Sequence, residues 1–290
     1  MDRPTRREML ATCLAAASVS RLNAADKWQI GCYTRPWDQH DYRVALDGIA
    51  EAGYKYAGLM THKGKSWVMV TVDTTTEEAA AMGEEVRKRG LTCASIYGGD
   101  FAVQKGIDVG VVGLRRLIDN VAAARCPRLL LGGTGKAELV ESYYNVVAEC
   151  CDYAASKKVA LSIKPHGGTN ATGAECRKLV EQVGHKNLRI WYDPGNIMYY
   201  SQGLIDPVND VDSVRGLIAG MSIKDFKPPK EVLVTPGKGL VNFREVLTRA
   251  RRGGFNSGPL IVECLDRGEP AQVTAEAKRT REFLQQLTAS

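Results

Sequence analysis

Four polar clusters in the C-terminal half of the chain each close a short apolar run. Lys164-Pro165-His166-Gly167-Gly168 follows residues 159–163, and Asp193-Pro194-Gly195-Asn196 follows residues 188–192. Lys224-Asp225 follows residues 221–223, and Glu263 follows residues 260–262. In a parallel β/α protein the side chains at strand C-termini converge on one crevice at the top of the sheet. Charges gathered there are expensive to hold without a ligand, an ion or one another. The pattern predicts a site for acid–base and electrostatic chemistry built from Lys164, His166, Asp193, Asn196, Lys224 and Glu263. Singly, each has a plainer use. His166 before Gly-Gly could cap a turn, Asp193-Pro-Gly-Asn could be a turn itself, and Lys224-Asp225 could be a strand-end salt bridge. Glu263, inside Leu-Ile-Val-Glu-Cys, needs a partner such as Lys224 or Lys164 if it is structural.

To bring these positions together the chain must alternate strands with helices, and its apolar pattern does so. Strands are expected at 28–33, 54–59, 91–97, 128–131, 159–163, 188–192, 220–223 and 260–264. Helices are expected at 41–52, 76–89, 109–124, 138–157, 173–182, 210–217, 242–252 and 271–287. Thr75 or Thr76 caps the second helix ahead of Glu77 and Glu78, while Gly53, Gly90, Gly184 and Gly253-Gly254 close others. This rhythm predicts a single (β/α)8 barrel spanning 26–290. An open doubly wound sheet is the alternative, but Gly132-Gly133-Thr134-Gly135 carries neither a Walker loop nor a dinucleotide fingerprint.

The ordered motifs Val-Ala-Leu-Ser-Ile-Lys-Pro-His-Gly-Gly, Trp-Tyr-Asp-Pro-Gly-Asn, Ser-Ile-Lys-Asp, Pro-Gly-Lys-Gly-Leu-Val-Asn-Phe and Ile-Val-Glu-Cys carry a resemblance. With them the chain resembles the sugar phosphate isomerase/epimerase group of xylose-isomerase-like barrels over residues 28–287, most specifically over 159–264. The resemblance implies a divalent metal (manganese, magnesium, cobalt or zinc) held by Glu, Asp, His and Glu after strands five to eight. It also implies proton shifts beside a sugar carbonyl: isomerisation, epimerisation or dehydration. Asp193 and Glu263 match the second and fourth ligands. Lys164 stands at the first ligand position and Ser222 at the third. At an effective dielectric near 20, a unit charge ~4 Å away contributes roughly 4 kcal/mol, so the exchange of a carboxylate for an ammonium weakens a cation there strongly. Two readings stay open. A metal remains on Asp193, Glu263 and His166 with water completing its shell, or the Lys164 ammonium replaces the ion and stabilises an enolate itself.

In the family the two metal-binding Glu residues act as the acid/base pair, and only Glu263 is left here. Lys164 or His166 would supply a second proton transfer, and a one-base reaction such as β-elimination or hydration at a keto-sugar is a variant. Residues placed by position complete the site. Arg35 and Trp37 follow strand one, His62 strand two and Tyr97 strand three, while Lys238 lies on the loop after strand seven. Trp37 and Tyr97 would stack on a sugar ring, and Arg35 would hold its oxygens. Each could equally be loop packing; His40 and His185 look structural.

Composition bounds the rest. The 290 residues are 44% apolar and 25% charged with a net charge of +6. Thr5-Arg6-Arg7-Glu8-Met9-Leu10 resembles a twin-arginine signal, with a small-residue site near Ala24-Ala25. Its apolar stretch, 9–19, is too short for a ~30 Å bilayer core. Residues 1–25 are therefore expected to be an export signal to the periplasm, and the mature protein to lack a membrane span. Arg249-Ala250-Arg251-Arg252, the densest basic cluster, is expected at a helix C-terminus, and nucleic acid is not an expected partner. Cys32, Cys93, Cys126, Cys150, Cys151, Cys176 and Cys264 form no CxxC pair, so no disulfide framework is expected. The favoured function is a carbohydrate isomerase/epimerase-type enzyme acting on a small sugar. A non-catalytic sugar-binding barrel that lost its metal is the alternative, and a three-metal phosphodiesterase of the endonuclease-four kind lacks enough histidines. The particular sugar and any homo-oligomer are left open.

Overall fold

The computed structural model describes residues 27–289, so the expected leader lies outside the described residues. Eight parallel strands close in sequence order: β1 Trp28–Tyr33, β2 Tyr56–Leu59, β3 Thr92–Tyr97, β4 Arg128–Leu131, β5 Ala160–Ile163, β6 Leu188–Tyr192, β7 Ile218–Ile223 and β8 Gly258–Val262. The barrel is sealed where β1 meets β8, from Trp28 opposite Gly258 to Cys32 opposite Val262. A principal helix follows each strand: α1 Tyr42–Glu51, α2 Thr76–Lys88, α3 Ile107–Ala123, α4 Val140–Ser156, α5 Gly173–Val183, α6 Pro194–Tyr200, α7 Phe243–Arg252 and α8 Pro270–Ala289. The chain is thus a single (β/α)8 barrel, and the open doubly wound sheet is ruled out.

Strands buried on both faces read as nearly continuous apolar runs, as Leu129, Leu130 and Leu131 do in β4. Tyr33, Met60, Ala94, Leu130, Trp191 and Ile261 form an inner cluster, all buried, which makes the barrel a packed core on which loops can be mounted. The larger core lies between sheet and helices. Thr75 and Thr172 start α2 and α5 with full capping boxes to Glu78 and Glu175, satisfying orphan N–H groups at each end. The basic cluster does sit in the last turn of α7, with Arg249, Arg251 and Arg252 at its negative end. All seven described cysteines are buried and unpaired. No helix among the described residues is long and apolar enough to cross a membrane.

Two departures from the expected elements matter for the site. β8 ends at Val262, so Glu263 stands one residue beyond the strand, at the barrel mouth. Between β6 and β7 the single expected helix, 210–217, is replaced by α6, a helical turn Pro207–Asp210 and a 3-10 turn Val211–Val214. Asp193-Pro194 resembles a turn, yet a capping carboxylate followed by proline at the first helical position is also how helices start.

Candidate active site

Asp193 caps α6 and faces the barrel mouth at once. Its Oδ1 accepts the Asn196 backbone N–H at 2.9 Å, which frees Oδ2 for Lys164 Nζ at 3.2 Å and Lys224 Nζ at 3.3 Å. Glu263 is held from three sides. Lys164 donates to Oε1 at 3.0 Å and Oε2 at 2.9 Å, Lys224 Nζ lies 2.5 Å from Oε1, and the Ser222 hydroxyl donates to Oε2 at 2.7 Å. Ser222 is itself fixed by the Trp191 indole N–H at 3.1 Å. Asn196 accepts from Lys224 at 2.9 Å and donates to the Pro165 carbonyl at 2.7 Å, tying α6 to the loop after β5. Two lysines and two carboxylates therefore interlock, each at most 3% exposed.

Burial opposes charge on Glu263 and Lys224, and pairing offsets it. Burial alone would raise the Glu263 pKa, but Lys164 and Lys224, then Arg35, hold it well below the usual carboxylate range. Burial likewise opposes the Lys224 ammonium, yet Asp193 and Glu263 outweigh it and keep its pKa above the usual lysine range.

One wall of the site is aromatic. His166 lies between Tyr97 and Tyr200, with ring centroids 6.2 and 5.9 Å away, and Lys164 Nζ stands 5.8 Å from the Tyr97 ring centre, within cation–π range. Burial, then Lys164 and Lys224, push the His166 pKa down to about 3, so its imidazole is neutral at physiological pH. A Cβ at Gly132 would lie 2.6 Å from Tyr97 Oη and 3.4 Å from His166 Nδ1, so a larger residue after β4 would press on the Tyr97 side of this wall. Nearby, a cleft of about 230 Å³ opens between the loops after β3 and β4, lined in part by Asp100, Gln104, Thr134 and Lys136. The opposite wall is Arg35, whose guanidinium lies 5.5 Å from the Trp67 ring centre and 3.8 Å from Glu263 Oε1.

The structure thus brings together Lys164, His166, Asp193, Asn196, Lys224, Glu263, Tyr97 and Arg35. Three expected contributors lie elsewhere. Trp37 is 1% exposed and packs in the core against Gly48, its indole directed to the Pro270 carbonyl; its apolar bulk is worth more buried than stacked on a sugar. Lys238 pairs with Asp266 at 2.7 Å and Glu276 at 3.1 Å on the outer surface. His62 packs edge-on against Tyr42 and lines a separate groove with Lys65 and Met69. Lys224-Asp225 is not a salt bridge. Asp225 instead accepts backbone N–H groups of Phe226, Gly237, Gly239 and Val241 at 2.8–3.0 Å and clasps the following loop. Trp67 and Tyr200 carry no strand-end signal in the sequence, because they come from a loop and from the last residue of α6.

These residues do not fit a divalent metal. The Asp193 and Glu263 oxygens already face two ammonium groups within 3.3 Å, and an added divalent ion ~4 Å from either would meet repulsion of roughly 8 kcal/mol at an effective dielectric near 20. Among the described residues His166, Asp193 and Glu263 do not converge as three ligands, and no other such group of histidine, cysteine or acid does.

A closed (β/α)8 barrel with a polar centre at the C-terminal ends of its strands defines the class of this protein. Its sequence matches the model of the xylose isomerase-like TIM barrel family over residues 46–287, and the chain belongs to that family. A probable L-ribulose-5-phosphate 3-epimerase of Mycoplasma pneumoniae is 25% identical over 138 residues, 46% of this chain and 43% of that relative, so less than half its length is matched. The solved xylose isomerase domain protein of Planctomyces limnophilus has a TM-score of 0.68 at 20% identity, covering 90% of this chain and 97% of that one. The D-psicose 3-epimerase of Clostridium cellulolyticum H10, solved with D-tagatose, has a TM-score of 0.72 at 14% identity, covering 90% of this chain and all of that one. At these identities the two structures speak for the fold alone.

Proposed function

We propose that this protein is a sugar isomerase/epimerase-type enzyme that moves a proton beside the carbonyl of a keto- or aldo-sugar. The observation that carries the reading is the pair of buried ammonium groups, Lys164 and Lys224, set between Asp193 and Glu263. A carbonyl oxygen that takes over one of their hydrogen bonds becomes an enediolate oxygen facing fixed positive charge, which lowers the barrier most in a dry site. As that oxygen claims the lysines, Glu263 loses part of the pairing that suppresses its basicity and becomes the base. With a single carboxylate base the same group returns the proton to the neighbouring carbon or oxygen. That favours isomerisation, β-elimination or hydration over a two-base epimerisation. Tyr97 and Tyr200 offer faces for the sugar ring, and the family relationship together with the epimerases among its similar proteins supports a carbohydrate substrate.

A second reading, a sugar-binding barrel without turnover, is favoured by one observation: both Glu263 oxygens already hold hydrogen bonds from lysine or serine. Exchange of solvent deuterium into keto- and aldo-sugars, followed by NMR with chelator present, separates the two. Exchange is expected to persist under chelation and to fall about a hundred- to a thousandfold in Lys164→Met, assayed well below that variant's melting temperature. Exchange that stops with chelator and returns with a divalent ion would restore the metal reading. No exchange on any sugar tried would leave the binding barrel.

A further inference from the structure

We propose that the substrate is a sugar acid carrying its carboxylate beside the carbonyl, and that Arg35 receives that carboxylate. The proposal rests on the proton-transfer reading only for the carbonyl; the charge argument stands by itself. Three cations, Lys164, Lys224 and Arg35, face two carboxylates, Asp193 and Glu263. The centre therefore carries one positive charge in excess. Both carboxylates are committed to the lysines at 2.5–3.3 Å, whereas Arg35 comes no nearer than 3.8 Å to Glu263 Oε1. The Arg35 Nε is buried and has no hydrogen-bond partner. Asp38, another acid whose charge reaches Arg35, is already bound by Arg267 at 2.9 Å, Gln39 at 3.1 Å and the Trp67 indole at 3.3 Å.

A guanidinium presents five donors in a rigid planar fork, and leaving them unmet in a half-dry site is costly. The group that satisfies such a fork is a planar carboxylate, taken through two parallel hydrogen bonds. Trp67 beneath the guanidinium at 5.5 Å holds its plane, and the Arg35 side chain is still 22% exposed, so a ligand can reach it. Position then selects among anions. Arg35 and both lysines all approach the same atom, Glu263 Oε1. An anion on Arg35 and a carbonyl oxygen on the lysines can thus belong to neighbouring carbons of one ligand. A 2-keto acid has that arrangement, while a phosphate at the far end of a sugar does not.

Calorimetric titration of the full chain with 2-keto-D-gluconate, D-fructose and D-fructose 6-phosphate tests the assignment without relying on turnover. The keto acid is expected to bind about tenfold or more tightly than fructose, with the difference shrinking as salt rises. In Arg35→Met, checked for folding by circular dichroism, the preference should fall below about threefold, and Arg35→Lys should keep only part of it. Equal affinity of the wild-type protein for keto acid and fructose would overturn the proposal, and so would an undiminished preference in folded Arg35→Met. Tighter binding of the phosphate than of the keto acid would overturn the carboxylate assignment. Keto acid that binds with the expected preference but exchanges no proton supports the Arg35 assignment and removes the proton-transfer reading. Exchange without a keto-acid preference does the reverse.

Discussion

His166 is the residue whose chemistry the structure changes most. As an ordinary imidazole it would titrate near 6.5, but burial and two flanking ammonium groups bring it to about 3. The folded value is depressed, so the neutral ring stabilises the fold above pH 6.5, and that stabilisation is lost as pH falls from 6.5 toward the folded value. By pH 5 the loss is about 2 kcal/mol at ~1.36 kcal/mol per unit. Melting temperatures taken from pH 7.5 to 5 should fall in the wild-type protein and fall less in His166→Asn. His62, also lowered by burial, acts in the same direction, which makes the difference between the two proteins the quantity to read. The pH profile of turnover should in turn show no inflection near 6.5, since neither His166 nor the suppressed Glu263 changes charge there. An inflection between pH 6 and 7 that disappears in His166→Asn would return the histidine to a titrating role.

At the scale of elements, α6 controls the site more than any strand does. It begins on Asp193, a site residue, and carries Asn196, which steers Lys224. Its second residue, Gly195, packs so closely that a Cβ would lie 2.5 Å from the Lys224 carbonyl oxygen and 2.6 Å from its Cγ. Gly195→Ala should therefore push Lys224 off Glu263, lowering stability by about 1–3 kcal/mol and reducing turnover more than stability explains. Gly135→Ala, where a Cβ meets nothing within 4 Å, is the control expected to change neither; thermal melts and kinetics on both variants check this. The same element marks where the sequence stopped being legible. Lys164, Asp193, Lys224 and Glu263 could be read because parallel strands must deliver their ends to one place. The helical role of residues 194–200 stayed hidden behind Pro-Gly-Asn, which turns and helix starts share. Trp37 lies just after β1 in sequence, and Lys238 on the long loop after β7. A loop, however, can carry a lysine outward to Asp266 and Glu276, and a large ring goes where it buries most surface.

At the scale of the whole molecule, the barrel supplies rigidity by closure. β1 pairs with β8 over five residues, and Cys32, Val262 and their neighbours are fully buried, so the strand ends cannot drift apart. A site held this way is assembled once the barrel closes, which would suit an export route that carries folded cargo. We propose that residues 1–25, which lie outside the described part of the chain, act as a twin-arginine signal for it. Replacing Arg6 and Arg7 together with lysine should leave the protein in the cytoplasm, as fractionation would show; unchanged export would remove the assignment.

The positive charge at the mouth of this barrel belongs to Lys164 and Lys224, which are part of the chain. A bound ion has a dissociation constant, competes with other ions and must be found again in each new compartment. A lysine has none of these liabilities. On the proposed reading the centre is complete as soon as the polypeptide is folded, and its charge is set by the gene rather than by the mineral content of the surroundings.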